Sequence, residues 1–463
     1  MTAHRFNPIV LREYDIRGTV GKTLYVADAA ALGRTFGSVL MREGGPDKRC
    51  CVGYDGRTTS PEFEAALVEG LASTGVDVIR VGLGPTPFLY FCVFHLGVGG
   101  GIMVTGSHNP KDQNGFKLML GKKSFHGQDI ARLGPLAARG NFAAGKGKIA
   151  GVRPMDAYLE ALVAAYRPAE SARALDVSWD PGNGAAGDVV RQLAKQLPGK
   201  HVLINDVIDG TFPAHHPDPT VEANLAQLQE TVRKNKSDIG LAFDGDGDRL
   251  GVVDHQGNVV WADKLLALLA REVLAERPGA TIIADVKSSQ GLYDEIARLG
   301  GRPLMWRTGH ALIKAKLFEI EAPLAGELSG HLFFADHYYG FDDAIYAAVR
   351  VLAMVARSGK RFADLVSTLP TFVSTPELRI HCAEERKFAV VAELLERMRA
   401  AGAKVSDIDG VRVTTAGGWW LVRASNTEAA LVARAEGRDE RALDSIKQLL
   451  ADELRKSGVS LPL

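Results

Sequence analysis

Short apolar runs and amphipathic segments alternate along most of the chain. Near the amino end, Lys48–Asp55 and Val76–Val81 are apolar runs of strand length, and Ser60–Gly75 between them has the polar cap and early proline of a helix start. A second predicted helix, Thr86–Leu96, leads into a third strand at Gly101–Val104. This βαβαβ order predicts a largely parallel sheet that is covered by helices.

The same order recurs twice farther along the chain. In the second round the pattern predicts an amphipathic helix that ends at Leu197, together with a helix at Val221–Lys234 and strands at Leu175–Asp180, His201–Ile204 and Asp238–Phe243. In the third round it predicts helices at Leu265–Glu276, Gly291–Leu299 and His310–Glu319 and strands at Thr281–Asp285, Pro303–Trp306 and Pro323–Ala325. The predicted fold class is therefore α/β, with three tandem βαβαβ-type domains built on mixed sheets. The Gly-, Ala- and Lys-rich stretch Arg139–Gly151 is predicted to be a linker.

From about Thr371 the order of elements changes. The pattern predicts strands that are joined by short turns and two long amphipathic helices: Glu377–His381, Val411–Thr415, Trp419–Arg423 and Ala430–Ala435 as strands, Glu384–Ala401 and Glu440–Arg455 as helices. We expect a smaller antiparallel α+β C-terminal domain that acts as a lid. The predicted domain boundaries are 1–150, 151–256, 257–368 and 369–463.

Composition narrows the class of protein. The chain has 463 residues, 46% hydrophobic and 24% charged, which suits several globular domains. Lys plus Arg and Asp plus Glu both total 55, so no overall field favours nucleic acid or an anionic membrane as a partner. The uncharged stretch Val81–Gly106 has the length of a membrane span, but its prolines and glycines favour a buried helix, loop and strand. Without a signal-like amino terminus or a CxxC pair among the four cysteines, we expect a soluble protein of the reducing cytoplasm.

Thr105–Pro110 places a hydroxyl where ligands bind in α/β sheets. Ser107 follows the apolar run Gly101–Val104 and precedes Asn109–Pro110, a dipeptide that favours a turn. The serine is therefore predicted to lie on a tight loop at the carboxyl end of a strand. A serine-hydrolase elbow is excluded, since that motif needs glycine two residues on either side of the serine. An ordinary strand-to-turn corner is the other interpretation of this hexapeptide.

Asp244–Arg249 reads Asp-Gly-Asp-Gly-Asp-Arg and follows another apolar strand. Alternating carboxylates separated by permissive glycines can converge on one hard cation, and Mg²⁺ fits better than Ca²⁺. A calcium EF-hand needs glycine and glutamate at loop positions six and twelve, where this chain has Arg249 and His255. A plain acidic turn is a poor alternative, because neighbouring carboxylates repel each other.

Two further polar loops and several single residues are weaker candidates. Gly326–His331 can offer a carboxylate and other hydrogen-bonding groups to sugar hydroxyls, and Arg423–Thr427 can form a phosphate cradle. Lys287 and His310 follow predicted strands at the ligand-binding edge. Single charged or polar residues that could equally be surface groups or structural caps are Tyr14, Arg17, Arg57 and Lys117.

Taken in order, five motifs resemble the signatures of the α-D-phosphohexomutase superfamily, and most of all its bacterial mannose/glucose branch. They are Tyr14–Gly18, Thr105–Pro110, Asp244–Arg249, Gly326–His331 and Arg423–Glu428. The resemblance spans the whole chain and implies four domains around a central cleft. It also gives those domains, in order, the roles of phosphoserine-bearing, metal-binding, sugar-recognition and phosphate-binding cap domain.

The resemblance implies a reaction and a distribution of roles. Ser107 would be stored as phosphoserine, and Mg²⁺ would be held by that group and by Asp244, Asp246 and Asp248. Phosphoryl transfer to a hexose 1- or 6-phosphate would give a hexose 1,6-bisphosphate, which reorients and returns its other phosphate to Ser107. Residues expected to assist the transfer are His108, Lys117, Arg17 and Arg249, with the general base left open among His108, Lys117 and His310. Residues expected to bind the substrate are Tyr14, Lys287, His310, Glu327, Leu328, Ser329, Gly330, His331, Arg423, Ala424, Ser425, Asn426 and Thr427.

Small departures and alternatives accompany the resemblance. The phosphate loop continues as Glu428-Ala429 where relatives often have proline, and Ala311 follows His310 where relatives often have serine. Thr105-Gly106 favours the mannose/glucose enzymes over phosphoglucosamine mutases. The alternatives are a phosphoglucosamine mutase and a non-catalytic phosphosugar-binding protein. The expected partners are small hexose phosphates, and the chain is expected to act as a monomer.

Overall fold

The chain forms four β-sheets, one from each successive domain. The computed structural model describes residues 3–166, 172–425 and 429–461. The first three sheets mix parallel and antiparallel strands, and the fourth contains antiparallel pairs among the residues described. The predicted α/β class with an antiparallel C-terminal domain is confirmed.

The first domain contains a seven-stranded sheet. Its elements are β1 (Ile16–Thr19), α1 (Val26–Glu43), β2 (Arg49–Tyr54), α2 (Ser60–Ala72), β3 (Asp77–Leu83), α3 (Thr86–Leu96), β4 (Gly100–Val104), β5 (Gln113–Leu120), β6 (Lys123–Phe125), α4 (Gln128–Ala131), α5 (Leu133–Arg139) and β7 (Ile149–Gly151). β2 lies parallel to β3 and β4, whereas β5 lies antiparallel to β4 and β1. The predicted linker at 139–151 is wrong at its end, because β7 pairs with β3 in parallel and extends the sheet.

The second domain contains a five-stranded sheet in the order β12-β11-β10-β8-β9. Its elements are α6 (Met155–Ala164), β8 (Val177–Asp180), α7 (Gly187–Ala194), β9 (His201–Leu203), α8 (Ala226–Asn235), β10 (Ile239–Phe243), β11 (Leu250–Asp254) and β12 (Val259–Val260). A 3₁₀ turn at Glu222–Leu225 precedes α8, so the helix predicted from Val221 begins later than expected.

The third domain contains a four-stranded sheet in the order β14-β13-β15-β16. Its elements are α9 (Ala262–Glu276), β13 (Thr281–Asp285), α10 (Gln290–Arg298), β14 (Arg302–Trp306), α11 (His310–Glu319), β15 (Leu324–Gly326), β16 (Leu332–Phe334), α12 (Ala344–Ser358) and α13 (Phe362–Val366). α12 is buried continuously from Ala344 to Ala356. The helix therefore lies inside the core, where Asp336 matches the charge of its buried Arg350, and the side chain of Asp343 caps its amino end.

The fourth domain contains a six-stranded sheet and two helices. Its elements are β17 (Val373–Ser374), β18 (Leu378–His381), α14 (Glu384–Ala400), β19 (Lys404–Ser406), β20 (Val411–Thr414), β21 (Gly418–Ala424), β22 (Ala430–Gly437) and α15 (Glu440–Arg455).

The hydrophobic cores do not follow the domains one for one. One continuous core joins α3 of the first domain to the sheets and helices of the second and third domains. A second core fills the outer side of the first domain, and the fourth domain has a smaller core of its own. The first three domains therefore form one packed body, to which the fourth is attached. Among the residues described, no helix combines the length and the apolar character needed to cross a membrane.

Candidate active site

The serine loop, Thr105–Pro110, leaves the carboxyl end of β4 in a strained conformation. β4 is buried at every position, and Ser107, three residues beyond it, is itself only 2% exposed. Ser107 has φ of +49°, a left-handed backbone that costs a non-glycine residue about 1 kcal/mol. The Thr105 hydroxyl accepts a hydrogen bond from the Ser107 amide at 2.8 Å and so stabilises this turn.

Arg57 braces the loop from below. Its guanidinium is 1% exposed and donates hydrogen bonds of 2.6–3.0 Å to the backbone carbonyls of Ser107, Asn109, Pro110 and Gln113. Asp55, 3.2 Å away, balances its charge and also accepts a hydrogen bond from the Thr105 hydroxyl. The sequence left open whether Arg57 is a surface charge or a structural cap. The carbonyl groups that it binds lie 50 to 56 residues away, so no local sequence pattern indicates them.

The aspartate loop, Asp244–Arg249, contacts the serine loop directly. The Ser107 hydroxyl donates a hydrogen bond of 2.9 Å to Asp244, the first residue after β10. A Cβ atom on Gly245 would lie 2.4 Å from the Ser107 carbonyl oxygen, so only glycine allows the two loops to approach this closely. Gly247 has φ of +75°, which turns the loop so that its carboxylates face one another.

Three buried carboxylates converge at this point. Asp244, Asp246 and Asp248 are fully buried and offer oxygens within 4.8 Å of one another. Lys117 on β5 donates to Asp246 at 2.7 Å and also contacts Asp248. Burial and then the neighbouring carboxylates raise the pKa of Asp244 well above its usual range. Burial alone would lower the pKa of Lys117, but Asp246 and Asp248 outweigh burial and hold that pKa well above its usual range.

The donor set fits a hard divalent cation. One oxygen of Asp246 and one of Asp248 are buried without a hydrogen-bond partner among the residues described. Buried carboxylate oxygens of this kind are costly unless a cation or donor satisfies them. Three carboxylates beside one ammonium group also leave an excess of negative charge, and oxygen donors are those that Mg²⁺ prefers. The cluster can therefore bind a metal ion.

The three candidates for proton transfer lie in different surroundings. The His108 ring nitrogen Nδ1 lies 3.2 Å from the Ser107 hydroxyl oxygen. Burial and then the charge of Arg249 lower the pKa of His108 well below its usual range. His310 lies 3.5 Å from Asp342, and burial followed by Lys314 lowers its pKa in the same sense. Lys117, held between two carboxylates, is the least able of the three to lose a proton.

The loop Gly326–His331, called the sugar loop after its predicted role, connects β15 to β16 and contacts the aspartate loop. Arg249 donates from Nε to the Nε2 atom of His331 at 3.0 Å, and the Leu250 amide donates to the Gly330 carbonyl. Glu327 is buried and accepts a hydrogen bond of 2.7 Å from the Gly309 amide, while burial raises its pKa. The loop is thus fixed by backbone contacts on both sides.

The remaining residues of this loop have different surroundings. The Leu328 amide donates to the Asp285 carboxylate, and Ser329 is half-buried at the turn. Gly330 has φ of +98°, and a Cβ there would lie 2.7 Å from the Leu250 carbonyl oxygen. The predicted contributions of Leu328 and Gly330 would therefore come from their backbone atoms.

Tyr14 and Arg17 extend from the first domain toward the other site residues. The Tyr14 hydroxyl donates to the Thr308 carbonyl at 2.8 Å, and its ring meets the His310 ring edge-on at 6.3 Å. Arg17 bridges the Asp15 carboxylate and the side-chain oxygen of Asn109. Arg17 is thereby anchored to the serine loop, whereas Tyr14 reaches across to the third domain.

The third and fourth domains each contribute a cation that is paired with a carboxylate. Arg423 at the end of β21 donates to Asp409 at 2.9 Å, and Asp409 also accepts from the Thr308 amide. Lys287 follows β13 in the third domain and donates to Glu377 at 2.8 Å. The Ser425 carbonyl accepts a hydrogen bond from Lys387, and Ala424 lies buried in β21 opposite Leu431. Asn426 and Thr427 lie outside the described residues.

The structure brings most of the predicted residues into one network of contacts. One branch runs from Ser107 through Asp244, Asp246, Asp248 and Lys117. Another runs from Arg249 through His331, and a third from Glu327 through Gly309, Thr308 and Asp409 to Arg423. Besides Arg57, sequence analysis missed Asp342, which follows Phe341 before α12 and has no recognisable motif of its own. The roles of all these residues in a reaction stay predictions at this point.

Comparison with known proteins places the whole chain in one family. Four family descriptions match in order: phosphoglucomutase/phosphomannomutase alpha/beta/alpha domains I, II and III at residues 8–131, 156–257 and 261–372, and the C-terminal domain at 377–453. The chain is 42% identical to the phosphomannomutase/phosphoglucomutase of Pseudomonas syringae pv. tomato, over 98% of this chain and 97% of the relative. It is 38% identical to the phosphoglucomutase of Neisseria gonorrhoeae, over 95% of each chain.

A solved structure agrees with these matches. The crystal structure of a phosphoglucomutase/phosphomannomutase family protein from Burkholderia thailandensis is 41% identical in sequence and superposes with a TM-score of 0.92. The superposition covers 99% of this chain and 100% of that one. The chain therefore belongs to the phosphoglucomutase/phosphomannomutase family of isomerases.

Proposed function

We propose that this protein moves a phosphoryl group reversibly between C1 and C6 of mannose and glucose phosphates, with Ser107 as the phosphoryl carrier. The observation that carries the proposal is the buried Ser107 hydroxyl, which lies 2.9 Å from Asp244 beside two further carboxylates. A serine in this setting has little use as a structural group, since its neighbours are arranged to hold a cation next to its oxygen.

The cofactor in this proposal is Mg²⁺. Asp244, Asp246 and Asp248 would hold it together with the phosphate on Ser107. When bound, the ion neutralises charge that develops on the transferred phosphoryl group. Lys117 and Arg249 add fixed positive charge on the same side of the cleft, and Arg17 lies against the serine loop through Asn109.

The proposed cycle uses two transfers that are chemically alike. In the first, the bond between the Ser107 oxygen and phosphorus breaks while a bond forms to the free C1 or C6 oxygen of the sugar phosphate. The product is a hexose 1,6-bisphosphate, which turns over in the cleft and returns its other phosphate to Ser107. Each transfer removes one proton from the attacking hydroxyl, and the candidates for accepting it are His108, Lys117 and His310. Of these, His108 contacts the Ser107 oxygen.

Two loops are proposed to hold the sugar in both orientations. Glu327, Ser329 and His331 would bind the hydroxyls at C3 and C4, which lie near the middle of the sugar and so occupy similar places after it turns. The resident phosphate, far from Ser107, would be bound by Arg423, Ser425, Asn426 and Thr427, with Lys287 beside them. Tyr14 and His310, which meet at the rim, would close the side of the cleft.

The same proposal includes the setting in which the enzyme works. Four buried, free cysteines suit a reducing compartment, so the proposed location is the cytoplasm. The proposed domains span residues 1–150, 151–256, 257–368 and 369–463. A monomer is proposed as the active species, and light scattering at the assay concentration tests it.

The deciding experiment compares three substrates. Mannose 1-phosphate, glucose 1-phosphate and glucosamine 1-phosphate are assayed with purified enzyme, Mg²⁺ and catalytic hexose 1,6-bisphosphate. We expect turnover of the mannose and glucose compounds, and at least about tenfold lower kcat/KM for glucosamine 1-phosphate. A preference for glucosamine 1-phosphate would instead support the phosphoglucosamine mutase alternative.

Intact-mass measurement tests the remaining alternative. The proposal requires a fraction of the protein to carry one phosphate on Ser107 after incubation with the bisphosphate. Binding of sugar phosphate without turnover and without this added mass would identify a non-catalytic phosphosugar-binding protein.

A further inference from the structure

Asp342 lies beside the sugar loop as the common neighbour of two histidines. It is fully buried, and its Oδ1 atom accepts a hydrogen bond of 2.7 Å from the ammonium group of Lys314. Its Oδ2 atom lies 3.0 Å from Nδ1 of His331 and 3.5 Å from Nδ1 of His310. The two histidine rings stack with their centroids 5.3 Å apart. One carboxylate therefore faces the same nitrogen of both rings.

The opposite side of His331 determines where its proton lies. Nε2 of His331 lies 3.0 Å from Nε of Arg249. An arginine guanidinium has only donors, so Nε2 must accept and cannot carry a proton in this contact. A neutral His331 then carries its proton on Nδ1, which faces Asp342 at 3.0 Å and Asp248 at 3.6 Å. Both faces of the ring call for the same tautomer.

We propose that Asp342 is a positioning residue of the active site, which holds His331 in the Nδ1–H tautomer and so keeps Nε2 as a hydrogen-bond acceptor. A carboxylate that faces Nδ1 fixes the tautomer and the orientation of an imidazole. The acceptor at Nε2 receives Arg249 in this structure, and a sugar hydroxyl can donate to the same lone pair. The assignment of His331 to the sugar rests on the proposed function, whereas the tautomer does not.

A metal ion at this place is a weaker interpretation of the same atoms. Asp248, His331 and Asp342 offer ligand atoms within 4.8 Å of one another. Three cations already contact this group, namely Lys314 on Asp342, Lys117 on Asp248 and Arg249 on His331. Even without Lys117, which Asp246 shares, Lys314 and Arg249 match the charge of the two carboxylates, so a second divalent ion here would gain less than one at the neighbouring three-aspartate cluster.

Lys314 determines how an amide at position 342 would be oriented, because its ammonium group needs an oxygen acceptor. In an Asp342→Asn variant, the amide oxygen is the only atom that Lys314 can bond, so the amide NH₂ must turn toward the histidines. The NH₂ group then donates to Nδ1 of His331 and forces the proton to Nε2. The proton on Nε2 then faces the N–H of Arg249, so two donors meet without an acceptor between them. The substitution is therefore expected to invert the tautomer without changing the shape of the side chain.

The direct measurement is ring ¹⁵N NMR of histidine-labelled enzyme. The His331 signals are assigned by their absence in a His331→Gln variant. Wild type is expected to show the protonated-nitrogen shift at Nδ1 of His331, and Asp342→Asn is expected to show it at Nε2. We expect kcat/KM of Asp342→Asn to fall roughly 10- to 100-fold, the effect of the carboxylate contact to Nδ1 lost and one donor left unpaired at Nε2.

Two companion variants separate positioning from structure. Asp343→Asn changes the next carboxylate, which accepts from the Ile345 and Tyr346 amides and from two tyrosine hydroxyls. It is expected to keep the wild-type tautomer and kcat. In the double variant Asp342→Asn, Lys314→Met the amide is free to turn its oxygen to His331. This variant is expected to restore the Nδ1–H tautomer and most of the lost kcat/KM.

Each outcome decides the proposal. An Nε2–H tautomer of His331 in wild type would overturn it, and so would an unchanged tautomer in a folded Asp342→Asn. If Asp342→Asn does not fold, the double variant and the wild-type spectrum still decide. A wild-type enzyme without mutase turnover but with the expected tautomer would defeat the proposed function and leave the assignment of Asp342 intact.

Discussion

The two ends of the contact network, at Ser107 and at Arg423, hold their charges in opposite ways. At the serine end, three buried aspartates share Lys117, and two of their oxygens lack a partner among the residues described. At the far end, the cations Lys287 and Arg423 are each matched by a carboxylate, Glu377 or Asp409. The serine end is therefore short of positive charge, whereas the far end has cations whose present partners are acidic side chains. The difference suggests that one end is arranged to receive a cation and the other to exchange a carboxylate for a phosphate.

The two ends also differ in how they are fixed. Arg57 donates hydrogen bonds to three carbonyls of the serine loop and to that of Gln113, and the loop lies against the backbone of Gly245. The far end joins two domains through side chains, since Arg412 donates to the carbonyls of Val286 and Ser288 and stacks on Trp419 with 3.7 Å to the ring centroid. We expect substitutions at the serine end to affect chemistry most, and those at the far end to affect domain attachment and affinity.

Ser107→Ala gives the sharpest test of the serine end. Without the carrier oxygen, kcat should fall at least about 1,000-fold, while binding of glucose 1-phosphate by calorimetry changes little. Ser178→Ala is a matched control, since Ser178 is also buried and its hydroxyl shares a hydrogen bond of 2.8 Å with the Ser237 hydroxyl. Unchanged turnover in Ser107→Ala would remove the basis of the proposed function.

Removal of divalent metal tests whether the three carboxylates at the serine end need a bound cation. After exhaustive chelation, kcat should fall at least about 100-fold and return when Mg²⁺ is added. Added Mg²⁺ should also raise Tm of wild type but not of Asp246→Asn, because the variant loses one of the three carboxylates. Full activity in protein shown to be free of metal would contradict the assigned cation site.

Arg57→Lys tests the brace beneath the serine loop. A lysine ammonium cannot reproduce a planar guanidinium that donates to several carbonyls, so the free energy of unfolding should fall by about 3 kcal/mol. Thermal unfolding measures this loss, and activity below Tm should fall less than tenfold. Arg80→Lys is the control in the same domain, because Arg80 is largely exposed and bonds Glu64. Equal losses for the two variants would argue against a special role for Arg57.

The smallest effect is expected from acid at the far end. The Lys287 charge lowers the pKa of Glu377 to about 2 from an ordinary value near 4.5. A lowered pKa stabilises the folded state above pH 4.5, and this contribution is lost as the pH falls from about 4.5 toward 2. For a carboxyl that is 27% exposed on its side chain, we expect a loss of roughly 2 kcal/mol across that window.

Glu377→Gln isolates this contribution. The variant should show a flatter dependence of Tm on pH between 4.5 and 2.5, and its affinity for inorganic phosphate should rise because Lys287 loses its competing partner. Asp444→Asn, on the exposed face of α15, should follow wild type. A Glu377→Gln profile that overlays wild type would show that this ion pair does not stabilise the attachment of the fourth domain.

The sequence predicted the elements that carry strong local signals. α3, α11, β13 and α15 begin and end at the predicted residues, and the three helices carry end signals: Pro85 and Gly97 flank α3, Gly309 precedes α11 and Asp439 caps α15. The serine and aspartate loops were found for the same reason, because each follows a fully buried strand. What the sequence could not reveal is long-range. α12 is buried although it contains Arg350, whose charge is matched by Asp336, while Arg57 binds a carbonyl 50 residues away and Asp342 pairs with Lys314, 28 residues away.

The continuous core under the first three domains has a consequence for how such a chain can be divided or rearranged. Its sequence looks modular, yet on α3 of the first domain Phe88 and Phe91 pack on Tyr158, and Phe91 also on Tyr339, in the two domains that follow. A fragment that ended near residue 150 would leave this helix face in water, with the aggregation that exposed aromatic surface brings. Recombination between relatives is therefore expected to exchange the first three domains together, and to exchange the fourth, which carries its own core, separately.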